Sequence, residues 1–166
     1  MSGDTIRMTG GCQCGAVRYA AEIAPQTAHL CHCRMCQKAV GNLFAALAST
    51  KKSDIVWTRG QPSVFRSSEH IDRGFCAACG TPLYYDNRDA GHLSVTIGSL
   101  DHPERIKPQS HNGVEGRMPW FSELQAVRDL GVTDEDDPVE AAAIRTSNRQ
   151  HPDHDTDTWP RGENQP

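Results

Sequence analysis

The chain has 166 residues, 37% of them hydrophobic, with 17 Lys and Arg against 21 Asp and Glu, a formal net charge of −4. That composition suits one soluble domain and gives no support to a basic nucleic-acid binder, so no nucleic-acid partner is expected. The longest apolar run, LFAALA from Leu43 to Ala48, falls far short of the ~20 residues a membrane-spanning helix needs, so no membrane association is expected either.

The charge is unevenly spread. From Gly131 onward nine acidic groups face three arginines, a net of −6, which leaves residues 1–130 at +2. The last 36 residues also lack apolar periodicity beyond the run VEAAAI. A segment of that kind buries too little surface to offset its ordering entropy. Residues 131–166 are therefore read as a flexible acidic tail with a helical turn or two between Pro138 and Arg145, and no specific role is expected for His151 or His154.

In chain order, residues 1–130 offer short runs bounded by Gly, Pro, Asp and Asn: Gly15 to Glu22, Asn42 to Ser49, Asp54 to Thr58, Ser63 to Ser67, Pro82 to Tyr85 and His92 to Ile97. In HLSVTIG, Leu93, Val95 and Ile97 alternate onto one face, and the regular spacing of such runs predicts an antiparallel, mainly β domain. Helix is expected only from Arg34 to Val40 and from Phe121 to Leu130. Trp120, after Pro119, reads as a core anchor, with a substrate platform as the alternative.

Seven cysteines carry the chemistry. Cys12 and Cys14 lie in GGCQCGAV, Cys76 and Cys79 in FCAACG, and Cys31, Cys33 and Cys36 in CHCRMC. An odd count behind a polar N-terminus, MSGDTIRMTGG, argues for reduced thiols in the cytoplasm rather than disulfides in a secreted protein. The CxC and CxxC pairs together supply four thiolates, the closed tetrahedral set of a structural Zn²⁺ that would tie together segments more than sixty residues apart. The third cluster supplies three. It is read as a zinc site with an open position, against two alternatives: a second closed site completed by His29, His32, His70 or His111, or a CxxC redox pair at Cys33 and Cys36. Arg34 and Lys38 beside it would lower thiol pKa and attract an anionic ligand.

These motifs, GGCQCGAVRY, CHCRMCQKAVG, FCAACGTPLYY, VTIGSLDHP and SHNGVEGRMPWF, occur in an order that resembles the glutathione-dependent formaldehyde-activating family, also named after centromere protein V, over about Thr9 to Leu124. The resemblance implies antiparallel zinc-bound sheets of the β-tent type across residues 1–130. It also implies a structural zinc on Cys12, Cys14, Cys76 and Cys79, and a second, labile zinc at the active site on Cys31, Cys33 and Cys36. The family activity it carries is a carbon–sulfur lyase reaction, condensing formaldehyde with glutathione to S-hydroxymethylglutathione. Cys33, as the middle thiol, is the expected catalytic sulfur. His111 is the expected proton donor to the product alkoxide, a satisfied structural histidine being the alternative. Arg34 and Lys38 are candidates for the carboxylates of glutathione or a related thiol adduct, with Arg73 and Arg117 as further arginines. The competing reading is a zinc-binding interaction module without turnover, or a lyase for a different thiol adduct.

Overall fold

The computed structural model of the chain describes residues 3–158. Their order is β1 (Ile6–Gly11), β2 (Arg18–Cys31), α1 (Arg34–Val40), β3 (Ala45–Lys51), β4 (Ile55–Arg59), β5 (Ser63–Arg66), β6 (Ile71–Phe75), β7 (Pro82–Asn87), β8 (His92–Thr96), β9 (Ser110–Asn112), α2 (Thr133–Asp136) and α3 (Pro138–Ser147). The sheet runs β1-β2-β3-β8-β7-β6-β5, with β4 and β9 also paired to β2. All neighbours are antiparallel except β9, which lies parallel to β2. The mainly β expectation holds. Helix Arg34–Val40 has the bounds expected of it, whereas Phe121–Leu130 yields only a short 3₁₀ segment, Phe121–Ala126.

The 14-residue β2 belongs to two surfaces. Its first half pairs with β1 and β4, and its second half with β3 and β9. The change comes at Pro25, which has no N–H to donate, and the β2–β3 register shifts between Ala24 and His29. Thr27 fills the break: its Oγ1 donates to the Ala24 carbonyl at 2.6 Å and accepts from the Ser49 N–H at 2.9 Å. One strand therefore bends over the core and reaches Cys31 with its hydrogen bonding intact.

Beneath the bend lie Tyr19, Ile23, Leu83, Val95 and Ile106, all buried, with alanines 21, 28 and 48 letting the sheet layers approach. Tyr19 keeps its hydroxyl satisfied on Ser99 Oγ at 2.7 Å and meets Trp57 edge-on at 5.5 Å. Trp120 is not part of this core. It is 43% exposed, and its neighbour Phe121 takes the packing role instead, edge-on to His32 and Phe44.

The acidic C-terminal segment carries α2 and α3, and α3 is capped by the Asp137 side chain on the Glu140 N–H at 2.9 Å. Beyond α3 the chain returns to the sheet. His151 donates its N–H to the Gln13 carbonyl at 2.6 Å and is buried, contrary to the expectation that it does nothing specific. Asp155 accepts from Arg18 at 2.8 and 3.0 Å, and Arg59 donates to Thr156 and meets the His151 ring. Residues 159–166 of the expected tail lie outside the described residues.

Of the two arginines that the described residues enclose, Arg18 and Arg73, Arg18 is the more deeply buried. Its guanidinium makes a two-pronged pair with Asp101 at 2.7 and 2.5 Å, and Thr9 donates to the same carboxylate at 2.5 Å. Burial alone would push the Asp101 carboxyl up, but the bonds from Arg18 and Thr9 outweigh it and hold the group below the usual carboxylate range. The pair therefore stabilises the fold above about pH 4, and the contribution is lost as pH falls through the folded-state pKa. Asp101→Asn leaves a buried guanidinium half-compensated, and we expect a loss of ~3 kcal/mol in urea unfolding at neutral pH.

Candidate active site

Two thiol groups form at opposite ends of β2. The first is built by two knuckles of one design. In the β1–β2 turn, Cys12 donates its N–H to Val17 and accepts from Gly15, with the Val17 N–H aimed at Cys12 Sγ at 3.3 Å. In the β6–β7 turn, Cys76 donates to Thr81 and accepts from Gly80. Gly15 and Gly80 take left-handed φ values of 76° and 78°, which a side chain would disfavour, and this is how each turn folds its amides back toward sulfur. The knuckles also touch directly, Gln13 N–H to Thr81 Oγ1 at 3.0 Å.

The second group follows from strand periodicity. Cys31 ends β2, and Cys33, two residues on, returns to the same face and caps α1, taking the Cys36 N–H on its sulfur at 3.4 Å. His32 projects the other way and so does not complete the three-thiol group. The loop is held from behind by Gln37, which donates to the carbonyls of His32 and Gly116, both at 2.8 Å. Gly113 packs so closely that a Cβ there would lie 2.7 Å from Cys33 N. That close approach accounts for the glycines of the motif NGVEG.

The donor sets fit zinc. All Sγ atoms within each group lie within 4.8 Å of one another. Cys12 to Cys14 is 3.6 Å, Cys14 to Cys76 3.9 Å and Cys31 to Cys33 3.6 Å, close to the edge of about 3.8 Å that a tetrahedron with 2.3 Å Zn–S bonds requires. Burial pushes the Cys12 thiol well up and the Cys31 thiol to about 12, so these sulfurs call for a cation before they can ionise. Among the described residues the first group has four thiols and the second three, with no histidine or carboxylate completing it.

Cys33 differs from its neighbours. Burial works against its thiolate but is outweighed by the Cys36 N–H, the Cys36 and Cys31 thiols and the positive charge of Arg73, and its pKa is lowered. Arg73 is buried in β6 and donates to Cys36 Sγ at 3.6 Å and to Ser67 Oγ at 3.1 Å, with its guanidinium 5.2 Å from the Tyr85 ring centre. The three thiols, Arg73 and Tyr85 border a cavity of about 300 Å³ that also includes His29, His92 and Asn112. Besides the thiols, only Arg73 and His29 of these are candidate site residues in the sequence. Asn112 was hidden because β9 is three residues long, and its register opposite Cys31 puts it on the thiol face.

The other sequence candidates lie elsewhere. His111 pairs with Leu30, not with Cys31. Its Nδ1 meets His32 Nε2 at 2.8 Å and its ring lies edge-on to Phe121, behind the cysteine loop. It does not border the thiol cavity. Arg34 and Lys38, one turn apart on the exposed face of α1, border a second cavity of about 560 Å³ beside the first.

Fold and site together define a mainly β protein with one four-thiol and one three-thiol cysteine centre, each suited to a metal ion. The family model for the glutathione-dependent formaldehyde-activating enzyme matches residues 7–115, more than half of the chain, and the chain belongs to that family. An uncharacterized lyase of Schizosaccharomyces pombe is 32% identical over 76 residues, which are 46% of this chain and 55% of that protein. The chain thus spans about half the length of that curated relative. A crystal structure of a Rhodobacter sphaeroides protein is similar over 63% of this chain and all of its own, with a TM-score of 0.54 at 24% identity, a likeness of fold. No described helix is long and apolar enough to cross a membrane.

Native mass spectrometry is expected to find two zinc ions per chain, and Cys36→Ser to retain one. Because thiolates must be deprotonated to bind, both ions leave as pH falls.

Proposed function

We propose that the chain is a zinc-dependent carbon–sulfur lyase of the S-hydroxymethylglutathione synthase kind, acting on adducts of glutathione or a related thiol. The observation that carries this reading is the three-thiol group at Cys31, Cys33 and Cys36, which faces a cavity beside a buried arginine and lacks a fourth ligand among the described residues. Cys12, Cys14, Cys76 and Cys79 hold the structural ion, and Cys31, Cys33 and Cys36 the labile one. When bound there, zinc supplies an open coordination position and stabilises a substrate thiol as thiolate at neutral pH.

The protein's own groups do the rest. Arg73 keeps positive charge beneath the cavity and so favours an anionic sulfur in it. The substrate sulfur adds to the carbonyl carbon: the C–S bond forms, the π pair of the C–O bond moves to oxygen, and oxygen takes up the proton the thiol lost. His29, Tyr85 and His92 are the proton-bearing side chains on the cavity wall. Cys33, with the lowered pKa, is the thiol best able to exchange with the substrate sulfur. His111 serves as a positioning residue, bracing His32 and through it the backbone that carries Cys31 and Cys33. Arg34 and Lys38 receive carboxylates of the thiol at the neighbouring cavity. Reduced cysteines in both centres suit the cytoplasm.

Addition of thiols to formaldehyde proceeds without help, so the protein need only bring the partners together with the sulfur ionised. In exchange spectroscopy by NMR on an equilibrium mixture of glutathione and formaldehyde, zinc-replete wild type is expected to raise the exchange rate. Cys33→Ser, folded by circular dichroism, is expected to lose at least about tenfold of that increase. No acceleration by the wild type would contradict the reading and favour a binding module.

A further inference from the structure

The cavity at the thiols is not the larger one. Beside it lies the chamber of about 560 Å³, and the two share Met35, Leu47, Ser67, Arg73 and Tyr85 as common walls. A chamber of this size is in the ~300–1,000 Å³ range of small-molecule sites. Formaldehyde, with two heavy atoms, would leave it almost wholly unfilled.

Its lining says what would fill it. Ala39 and Val40 on α1, Phe65 on β5, Phe75 on β6, and Pro82 and Tyr84 on β7 present an apolar and largely aromatic interior. Phe65 and Met35 border it while 61% and 59% exposed, an exposure that burial against an apolar ligand would offset. Polar partners on its wall are limited to Ser67, Thr96, the two tyrosine hydroxyls and the three cations, so a polar body would leave most of the wall facing groups that cannot replace its hydrogen bonds to water. Charge is confined to Arg34 and Lys38 on α1 and to Arg73 at the common wall. The shape is that of a site for an adduct with its sulfur at the thiols, its carboxylate on the α1 cations and an apolar body inside the chamber.

Resting on the lyase reading above, we propose that the electrophile is an aldehyde with an aromatic-sized apolar body, and that this chamber selects it over formaldehyde. The step balances as a simple addition: the thiol S–H and the aldehyde C=O become a C–S bond and an O–H, with no oxidant or reductant. Ala39 is a specificity residue on this view, since a larger side chain there projects into the space the body occupies.

The test has two arms on zinc-replete protein. In the binding arm, titration calorimetry with S-benzylglutathione and S-methylglutathione is expected to show at least about tenfold tighter binding of the benzyl compound. Ala39→Phe removes that preference, and Phe65→Ala, at an exposed position, reduces it. In the turnover arm, exchange with phenylacetaldehyde is expected to be accelerated more than exchange with formaldehyde, and Ala39→Phe to lower that ratio about tenfold. Equal affinity for the two glutathione conjugates, or a preference indifferent to both substitutions, overturns the chamber assignment even if formaldehyde is turned over. If the benzyl preference holds and responds to Ala39→Phe while neither aldehyde is turned over, the chamber stands as a binding site and the lyase reading falls.

Discussion

Four thiols from two turns, Cys12 and Cys14 in one, Cys76 and Cys79 in the other, are the constraint on which the remaining geometry depends. Closing a loop of more than sixty residues costs chain entropy, and a sheet of short strands with many alanines has limited apolar surface to offset it. Zinc coordination contributes on the order of 10 kcal/mol in small zinc domains, because the site exists only in the folded chain. The closure joins the β1–β2 hairpin to the β6–β7 hairpin. Arg73 lies three residues before Cys76 in that second hairpin, so the approach of the two hairpins that gathers the four thiols also delivers a guanidinium to Cys36.

The two centres are therefore mechanically linked and chemically distinct. At the first, the Val17 N–H points at Cys12 Sγ and a fourth thiol completes the set. At the second, three sulfurs sit at a strand end and a helix start, with a cavity where a fourth ligand would be. The parallel strand β9 and the Gln37 bridge brace that loop from behind, and the His32–His111 pair fills the space between them. Such bracing holds the three thiols in position, the preorganisation that the proposed reaction centre would need.

Much of this was legible in the residues, and the reasons differ by element. Cysteine spacing revealed both centres because metal geometry permits few alternatives to CxC with CxxC. Helix α1 was read to its true bounds because Cys33 caps its start and Gly41 ends it in the left-handed conformation. β1 was missed because IRMTGG ends in two glycines and looks like a loop, and β6 because IDRGF is polar where it faces the thiols. Arg73 could be named as one arginine among several, but its partner Cys36 lies 37 residues away and no local pattern links them. His111 fails as a group at the thiols for a reason of parity: one residue of register separates its face from that of Asn112. The Asp155–Arg18 pair, spanning 137 residues, is a tertiary contact that composition could not foretell.

The proposed chemistry rests on the division of seven thiolates into one closed and one open centre. X-ray absorption at the zinc edge on fully loaded wild type measures this directly. An average of 3.5 sulfur ligands per ion is expected, seven thiolates over two zincs, rising toward 4 when glutathione is added and its sulfur enters the open position. An average that is already 4 without glutathione, or that stays unchanged when glutathione binds, would contradict it.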